Sequence, residues 1–92
     1  MFRMPRVNVI EAKDGYSVEI LGRTGLLYRQ GEKSIRIDAE GLATPAFLIY
    51  RSSMKTWLPP YETDVISDIE REELIEHIRA AVQFYGIELQ VI

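Results

Sequence analysis

The sequence predicts an α+β fold, in which a mostly antiparallel five- to six-stranded sheet carries one long C-terminal helix on one face, followed by a final strand. Residues 7–51 support the sheet, because apolar and polar side chains alternate there over short runs that glycines separate. Residues 67–86 support the helix, because their apolar side chains recur at helical spacing. The chain has 92 residues, of which 47% are hydrophobic, and this length suits one core. We therefore expect a single α+β domain over residues 1–92.

The predicted strands are short and are separated by turn residues. They cover residues 7–12, 16–21, 26–30, 33–39 and 46–51. Asp14-Gly15 favours a tight hairpin turn between the first two strands, since both residues tolerate positive φ. Alternation places Ile10, Leu21 and Leu27 on the sheet face away from the helix. One helix cannot cover both faces, so this second face is expected to be either solvated or a contact surface.

The helix has a clear beginning and a clear end in the sequence. Ser67 and Glu70 match a capping box, in which the serine hydroxyl accepts a hydrogen bond from a backbone N–H at the helix start. Gly86 ends the helix, because glycine readily takes the left-handed conformation, and a last strand follows at residues 87–92. The predicted buried stripe of the helix follows Ile69 and consists of Leu74, Ile75, Ile78, Ala81, Val82 and Tyr85.

Composition and charge exclude several classes of function. The chain has no cysteine, which rules out disulfides, thiolate zinc sites and cysteine nucleophiles. Its single histidine, His77, excludes a histidine-rich metal cluster, and we expect neither a metal nor another cofactor. The formal net charge of −3 makes the chain a poor general binder of nucleic acid. We expect no membrane association and a cytoplasmic location, because the apolar runs are too short to span a bilayer and the N-terminus lacks a signal-peptide pattern.

No catalytic centre can be assembled from the sequence, so we expect the protein not to be an enzyme. His77 follows Glu73 by one helical turn and could form a general base with it, but both positions fit the solvated face of the helix. The glycine-bracketed loop from Gly22 to Gly25 could hold a phosphate through its backbone N–H groups and the side chain of Arg23. A hairpin turn that needs glycine is the simpler interpretation of this loop.

Four basic residues cluster around the hairpin predicted at residues 26–39. They are Arg23, Arg29, Lys33 and Arg36. The carboxylates interleaved with them are Glu19, Glu32, Asp38 and Glu40. A basic patch of this kind could bind a phosphate backbone, but cross-strand ion pairs explain the same residues. We therefore interpret the cluster as a set of ion pairs.

The proline-rich segment at residues 52–66 is the most informative stretch for function. Trp57 and Tyr61 flank Pro59-Pro60, which fits neither a helix interior nor a central strand. Large aromatic residues dominate the energetics of protein interfaces, and proline lowers the entropy cost of holding them in place. The tryptophan could instead close one end of the core, and the two interpretations are compatible if the tyrosine stays exposed.

Several short features from residue 20 onward together carry a family resemblance. They are Gly22-Arg23, Gly25, Tyr28, the strand at residues 35–37, Glu40, Ile49-Tyr50, Ser53 and Trp57 followed by Pro59-Pro60. A helix from near Ile66 to near Gly86 and a last strand rich in isoleucine and glutamate complete the pattern. In this order and spacing, the chain resembles the immunity protein 74 family of bacterial polymorphic-toxin immunity proteins.

The resemblance implies a binding function, in which the protein occludes or distorts the active site of a cognate protein toxin. The partner-binding residues expected on this basis are Trp57, Tyr61, Glu62 and Asp64, with Arg23 as a second location. Two alternatives stay open. One is a homo-oligomeric adaptor, such as a homodimer formed through the uncovered sheet face or an edge strand. The other is a small phosphate-binding domain that uses the loop from Gly22 to Gly25.

Overall fold

The structure is a computed structural model that describes residues 1–43 and 45–92. Seven strands form one sheet in which spatial order follows chain order. The strands are β1 (Phe2–Arg6), β2 (Val9–Ala12), β3 (Tyr16–Ile20), β4 (Gly25–Gln30), β5 (Lys33–Gly41), β6 (Ala46–Ile49) and β7 (Glu88–Val91). A 3₁₀ helix spans Arg51–Ser53, and helix α1 spans Asp68–Phe84. Within the described residues, no helix combines the length and apolar character needed to cross a bilayer.

The α+β class and the mostly antiparallel sheet are confirmed. Every neighbouring pair of strands is antiparallel except β6 and β7, which run parallel because α1 connects them. The core lies between α1 and one face of the sheet. The most deeply buried core side chains include Ile10, Val18, Leu26, Ile37 and Ile49 from the sheet, and Leu74, Ile75, Ile78 and Val82 from the helix.

The sheet has one strand more than expected, and this strand is β1. Its sequence, FRMPR, shows no apolar alternation, and four of its five side chains are exposed. It forms one edge of the sheet, where Pro5 is tolerated because an edge strand does not need every backbone N–H for pairing. The predicted first strand is therefore shorter at its start, and it begins at Val9 after a turn in which Asn8 has a φ of 68°.

The turn at Asn8 reverses the predicted orientation of β2. Ile10 is completely buried in the core, so its assignment to the outer sheet face is wrong. Side chains alternate with a period of two along a strand, so a one-residue error in phase exchanges the two faces. Leu27 does lie on the outer face, where it is flanked in register by Glu19 and Arg36.

The boundaries of α1 agree with the sequence signals. The Oγ of Ser67 accepts a hydrogen bond from the backbone N–H of Glu70 at 3.1 Å, which supplies the serine half of the capping box. Gly86 has a φ of 92°, a conformation that other residues adopt only with strain, and α1 ends two residues before it. The sequence therefore determines both ends of the helix locally.

One member of the predicted buried stripe, Tyr85, is exposed, and so is Ile69, the residue that leads into the stripe. The side chain of Ile69 is 76% exposed. It precedes Leu74 by five residues, which turns it about 140° around the helix axis from that side chain. Tyr85 is the C-cap residue and lies at the point where the chain leaves the helix. The stripe is therefore confirmed only for the residues from Leu74 to Val82.

Candidate functional site

Residues 57–64, here called the 57–64 loop, lie between the 3₁₀ helix and α1 and form a loop whose two ends are close together. The base of the loop is an isolated bridge between Thr56 and Val65. Inside the loop, the N–H of Tyr61 donates to the carbonyl of Leu58 at 3.0 Å, and the N–H of Asp64 donates to the carbonyl of Tyr61 at 3.0 Å. Two backbone hydrogen bonds are therefore formed within the loop itself. The Pro59-Pro60 peptide bond in the loop is cis.

Trp57 joins the loop to the core. Its side chain is 4% exposed, and its ring centroid lies 6.5 Å from that of the buried Tyr28. The backbone N–H of Leu58 donates to the carbonyl of Ser34 in β5 at 2.8 Å. The indole therefore closes one end of the core, and it supports any surface formed by the loop from beneath.

The tip of the loop contacts the turn between β4 and β5. The Nζ atom of Lys33 lies 5.5 Å from the ring centroid of Trp57 and 5.6 Å from that of Tyr61. The same atom lies 3.1 Å from Oδ2 of Asp64. The hydroxyl of Tyr61 donates to Oε2 of Glu32 at 3.0 Å. Side chains of the turn and of the loop therefore form one continuous patch.

This patch is here called the loop–turn surface, and it consists of Glu32, Lys33, Tyr61, Glu62 and Asp64. Tyr61 and Lys33 are half-buried, whereas the three carboxylates are exposed. An aromatic ring among carboxylates offers a partner both an apolar contact and hydrogen-bond acceptors. The arrangement suits binding to a protein that presents N–H donors.

Hydrogen bonding changes the acidity of Tyr61 on this surface. Its pKa is raised above the ordinary value of 10.0, first because the phenol donates to Glu32 and then because of the negative charge on that carboxylate. The charge on Lys33 opposes this shift. The phenol therefore remains a neutral hydrogen-bond donor throughout the physiological pH range.

Arg23 lies apart from the loop–turn surface. It belongs to the hairpin turn that joins β3 to β4, in which the N–H of Leu21 donates to the carbonyl of Gly25 at 2.9 Å, so the turn interpretation of the glycine-bracketed loop is confirmed. The Nη2 atom of Arg23 lies 3.4 Å from the carbonyl oxygen of Gly41. Lys33 follows the opposite end of β4, a strand that spans about 17 Å at roughly 3.4 Å per residue.

The basic cluster forms ion pairs at two of its members. Nη1 of Arg36 lies 3.0 Å from Oδ1 of Asp38 on the outer sheet face, and Lys33 pairs with Asp64 as described above. The guanidinium of Arg36 also lies across the backbone of Gly25, where an added Cβ would stand 2.7 Å from its Nη2 atom. A side chain there would have to displace the flexible end of the arginine, so the close approach favours glycine without requiring it.

His77 is not the solvated residue that the helix pattern predicts. Its ring stacks on Tyr16 with a centroid distance of 4.2 Å, and its Nδ1 lies 2.8 Å from the hydroxyl of Tyr28. The hydroxyl of Tyr28 also donates to Oε1 of Gln30 at 3.0 Å. Burial raises the pKa of Tyr28 far above its ordinary value. The histidine is therefore part of the packing between helix and sheet, and Glu73 does not contact it by any hydrogen bond or ion pair within residues 1–43 and 45–92.

The outward side of α1 carries a cluster of four exposed acidic groups. This exposed helix face consists of Asp68, Ile69, Glu72, Glu73 and Glu76. The helix contains five acidic and two basic residues, so its formal charge of −3 equals the net charge of the whole chain. Its two arginines turn toward the protein. Arg71 donates to the carbonyls of Met54 and Ile66, and Arg79 donates to that of Leu89 at 2.9 Å.

Comparison with known proteins gives one match. A family model described as Immunity protein 74 matches residues 17–92. None of the curated proteins and none of the solved structures matches the chain. The matched span begins within β3 and contains the entire loop–turn surface and α1, but it leaves out β1 and β2.

Proposed function

Because this chain belongs to the immunity protein 74 family, we propose that it binds a cognate toxin domain and neutralises it by protein–protein contact. Family membership over residues 17–92 is the observation that carries this proposal. In the proposed activity the protein acts in the cytoplasm of the cell that makes the toxin, and it catalyses no reaction. One toxin domain is bound and held inactive by one copy of this chain.

We assign the toxin contact to the loop–turn surface. Tyr61 supplies an aromatic group of the kind that dominates binding energetics, and it is held in one orientation by its hydrogen bond to Glu32. A surface whose side chains are already fixed loses less conformational entropy when a partner binds. Glu62 directly follows Tyr61 in the chain, Asp64 pairs with the lysine that lies over the ring, and both carboxylates are exposed for charged hydrogen bonds with the toxin.

The other residues predicted to touch the partner have different roles in this proposal. Trp57 supports the surface through the core, because its own side chain is nearly completely buried. Arg23 lies beyond the opposite end of β4, so it would contact the same toxin only at the edge of a broad interface. The acidic charge of α1 adds a field that attracts a basic toxin surface and raises the association rate.

A growth-rescue assay tests the proposed function. Candidate toxin domains are expressed one at a time with the wild type, with a Tyr61→Ala, Glu62→Lys variant, or with a Tyr85→Ala, Glu88→Lys control. The control makes the same chemical changes at two exposed positions at the other end of the helix. We expect rescue by the wild type and by the control, and loss of rescue by the loop variant.

Circular dichroism of each purified variant establishes that loss of rescue is not loss of folding. Failure of the wild type to rescue growth, together with no binding to the purified toxin domain, would contradict the immunity function. Equal rescue by all three proteins would instead contradict the assignment of the contact to the loop–turn surface.

A further inference from the structure

We propose that Lys33 is a positioning residue, which fixes the 57–64 loop against the β4–β5 turn and so makes the loop–turn surface a preformed docking site for the toxin. The contact with the toxin rests on the proposed function. The positioning itself is a property of the free protein and can be tested alone.

One atom of Lys33 holds three parts of the loop. Its Nζ lies over the rings of Trp57 and Tyr61, at 5.5 and 5.6 Å from their centroids, and it pairs with Asp64 at 3.1 Å. An ammonium group is attracted to the face of an aromatic ring, most strongly to that of tryptophan. The two rings and the carboxylate stand at the start, the middle and the end of the loop, so a single charge links its whole length.

Few other polar contacts join the loop tip to the sheet. In the part of the chain that the structure describes, the backbone bond from Leu58 to Ser34 lies near the base of the loop. At the tip, within residues 1–43 and 45–92, the only hydrogen bond or ion pair to the sheet or its turns besides the Lys33–Asp64 pair is that from Tyr61 to Glu32. Loss of the lysine charge leaves the tip held to the turn by the Tyr61–Glu32 bond alone, so the tip opens more often and uncovers the indole of Trp57, while the base of the loop remains closed.

Charge rather than length is the property of Lys33 that matters. A methionine keeps much of the apolar stem but loses the attraction to the rings and to Asp64, whereas an arginine keeps both attractions. Lys13 offers a matched control, because it lies in the β2–β3 turn and is exposed there. Its replacement by methionine removes the same charge from another hairpin.

The chain contains one tryptophan, so fluorescence reports on this loop directly. We would measure acrylamide quenching of Trp57 in the free wild type and in the Lys33→Met, Lys33→Arg and Lys13→Met variants. We expect Lys33→Met to raise the quenching constant on the order of twofold, because local opening gives the quencher access to the indole. The Lys33→Arg and Lys13→Met variants are expected to stay close to the wild type.

The affinity for the purified toxin domain is measured on the same four proteins by titration. We expect Lys33→Met to raise the Kd by about tenfold, because the loop must then be ordered during binding. The Lys33→Arg variant should recover most of the affinity. If Lys33→Met proves too unstable, Asp64→Asn releases the other side of the same ion pair and is expected to raise the quenching constant as well.

Each result separates the positioning role from the proposed function. Unchanged quenching in both Lys33→Met and Asp64→Asn overturns the positioning role, whether or not a toxin binds. Increased quenching with an unchanged Kd overturns the claim that the positioned loop contacts the toxin. A wild-type protein that binds no toxin defeats the proposed function, while the quenching data still decide how the loop is held.

Discussion

The loop–turn surface and the exposed helix face both present carboxylates, but different contacts hold these groups in place. On the loop–turn surface, Tyr61 and Asp64 are held by Glu32 and Lys33, which belong to another element of the fold. On the helix face, two of the three ion pairs are local: Asp68 pairs with Arg71, and Glu76 pairs with Arg79, each three residues along the helix.

This difference gives the two surfaces different properties: the loop–turn surface has a defined shape, and the exposed helix face mainly has a charge. Local ion pairs exist wherever the helix forms, so they add no contour beyond that of the helix, and the excess of carboxylates over arginines leaves the face negatively charged. Contacts between distant elements exist only in the complete fold, and they fix side chains at defined positions. We therefore expect the helix face to act at long range through its field, and the loop–turn surface to act at short range through its shape.

The largest expected difference concerns stability. Trp57→Ala removes a buried indole from the core under the loop and is expected to lower the free energy of unfolding by about 3–5 kcal/mol. Ile69→Ala on the helix face should change it by less than about 0.5 kcal/mol, because the side chain is mostly exposed. Urea denaturation of both variants measures this contrast. Similar losses in the two variants would mean that the helix face is packed against something in solution.

A matched pair of charge reversals compares the two surfaces in binding. Glu62→Lys and Glu73→Lys each change the net charge of an exposed position by the same amount. We expect Glu62→Lys to raise the Kd for the toxin by about tenfold and Glu73→Lys to raise it by less than roughly threefold, mainly through the association rate. Stopped-flow association at two salt concentrations separates these effects. The reverse ranking would transfer the contact to the helix face.

The helix N-terminus tests whether the two surfaces are independent. Ser67→Ala removes the cap and is expected to lower the free energy of unfolding by about 1 kcal/mol. Its control, Ser52→Ala, lies in the 3₁₀ helix and should have little effect. Since the cap acts on the first turn of α1, the quenching of Trp57 should be unchanged. Increased quenching in the Ser67→Ala variant would show that the loop depends on the cap.

The smallest expected effects lie at opposite ends of the pH scale. The bond to Glu32 raises the pKa of Tyr61, so its contribution to stability is complete below pH 10.0 and is lost as the pH rises through the raised value. The hydrogen bond from Arg51 lowers the pKa of Glu72, so its contribution is complete above pH 4.5 and is lost as the pH falls through the lowered value.

Two conservative variants isolate these contributions. Compared with the wild type, Tyr61→Phe should weaken the pH dependence of the free energy of unfolding only at alkaline pH. Glu72→Gln should weaken it only at acid pH. Both effects should be small, because these groups are exposed to solvent. Denaturation midpoints measured across the pH range would check this, and an alkaline effect of Glu72→Gln would contradict the assignment of its partner.

The sequence predicted those parts of the fold that depend on local signals. Asp14-Gly15, Ser67 and Gly86 act through their own backbone or immediate neighbours, and the hairpin and helix ends that they mark are confirmed. The strand β1 was missed because an exposed edge strand needs no apolar alternation. Its turn residue Asn8 then shifted the phase of β2, which is why Ile10 was assigned to the wrong face.

The candidate site was predictable only in part for a related reason. Aromatic residues around Pro59-Pro60 drew attention to the loop, but nothing in the sequence connects Lys33 with it, because the two are separated by more than twenty residues and meet only through the fold. The sequence did not predict the packing of His77, because the side chain of a residue beside the apolar stripe of a helix can point either to solvent or to the core. Its partners, Tyr16 and Tyr28, lie on β3 and β4, two neighbouring strands that are far from the helix along the chain.

The arginine that binds the last strand has a consequence for self-association. The backbone N–H groups of Glu88 and Ile92 donate to the carbonyls of Pro45 and Ile49, on the side of β7 that faces β6. Because backbone groups alternate in direction along a strand, the carbonyl of Leu89 points to the open side of β7. There it accepts a hydrogen bond from Arg79. The opposite edge of the sheet carries Pro5. An unguarded edge is a template on which another chain can add a strand, which is a first step toward aggregation. Each margin of this sheet therefore carries a feature that disfavours the addition of another strand.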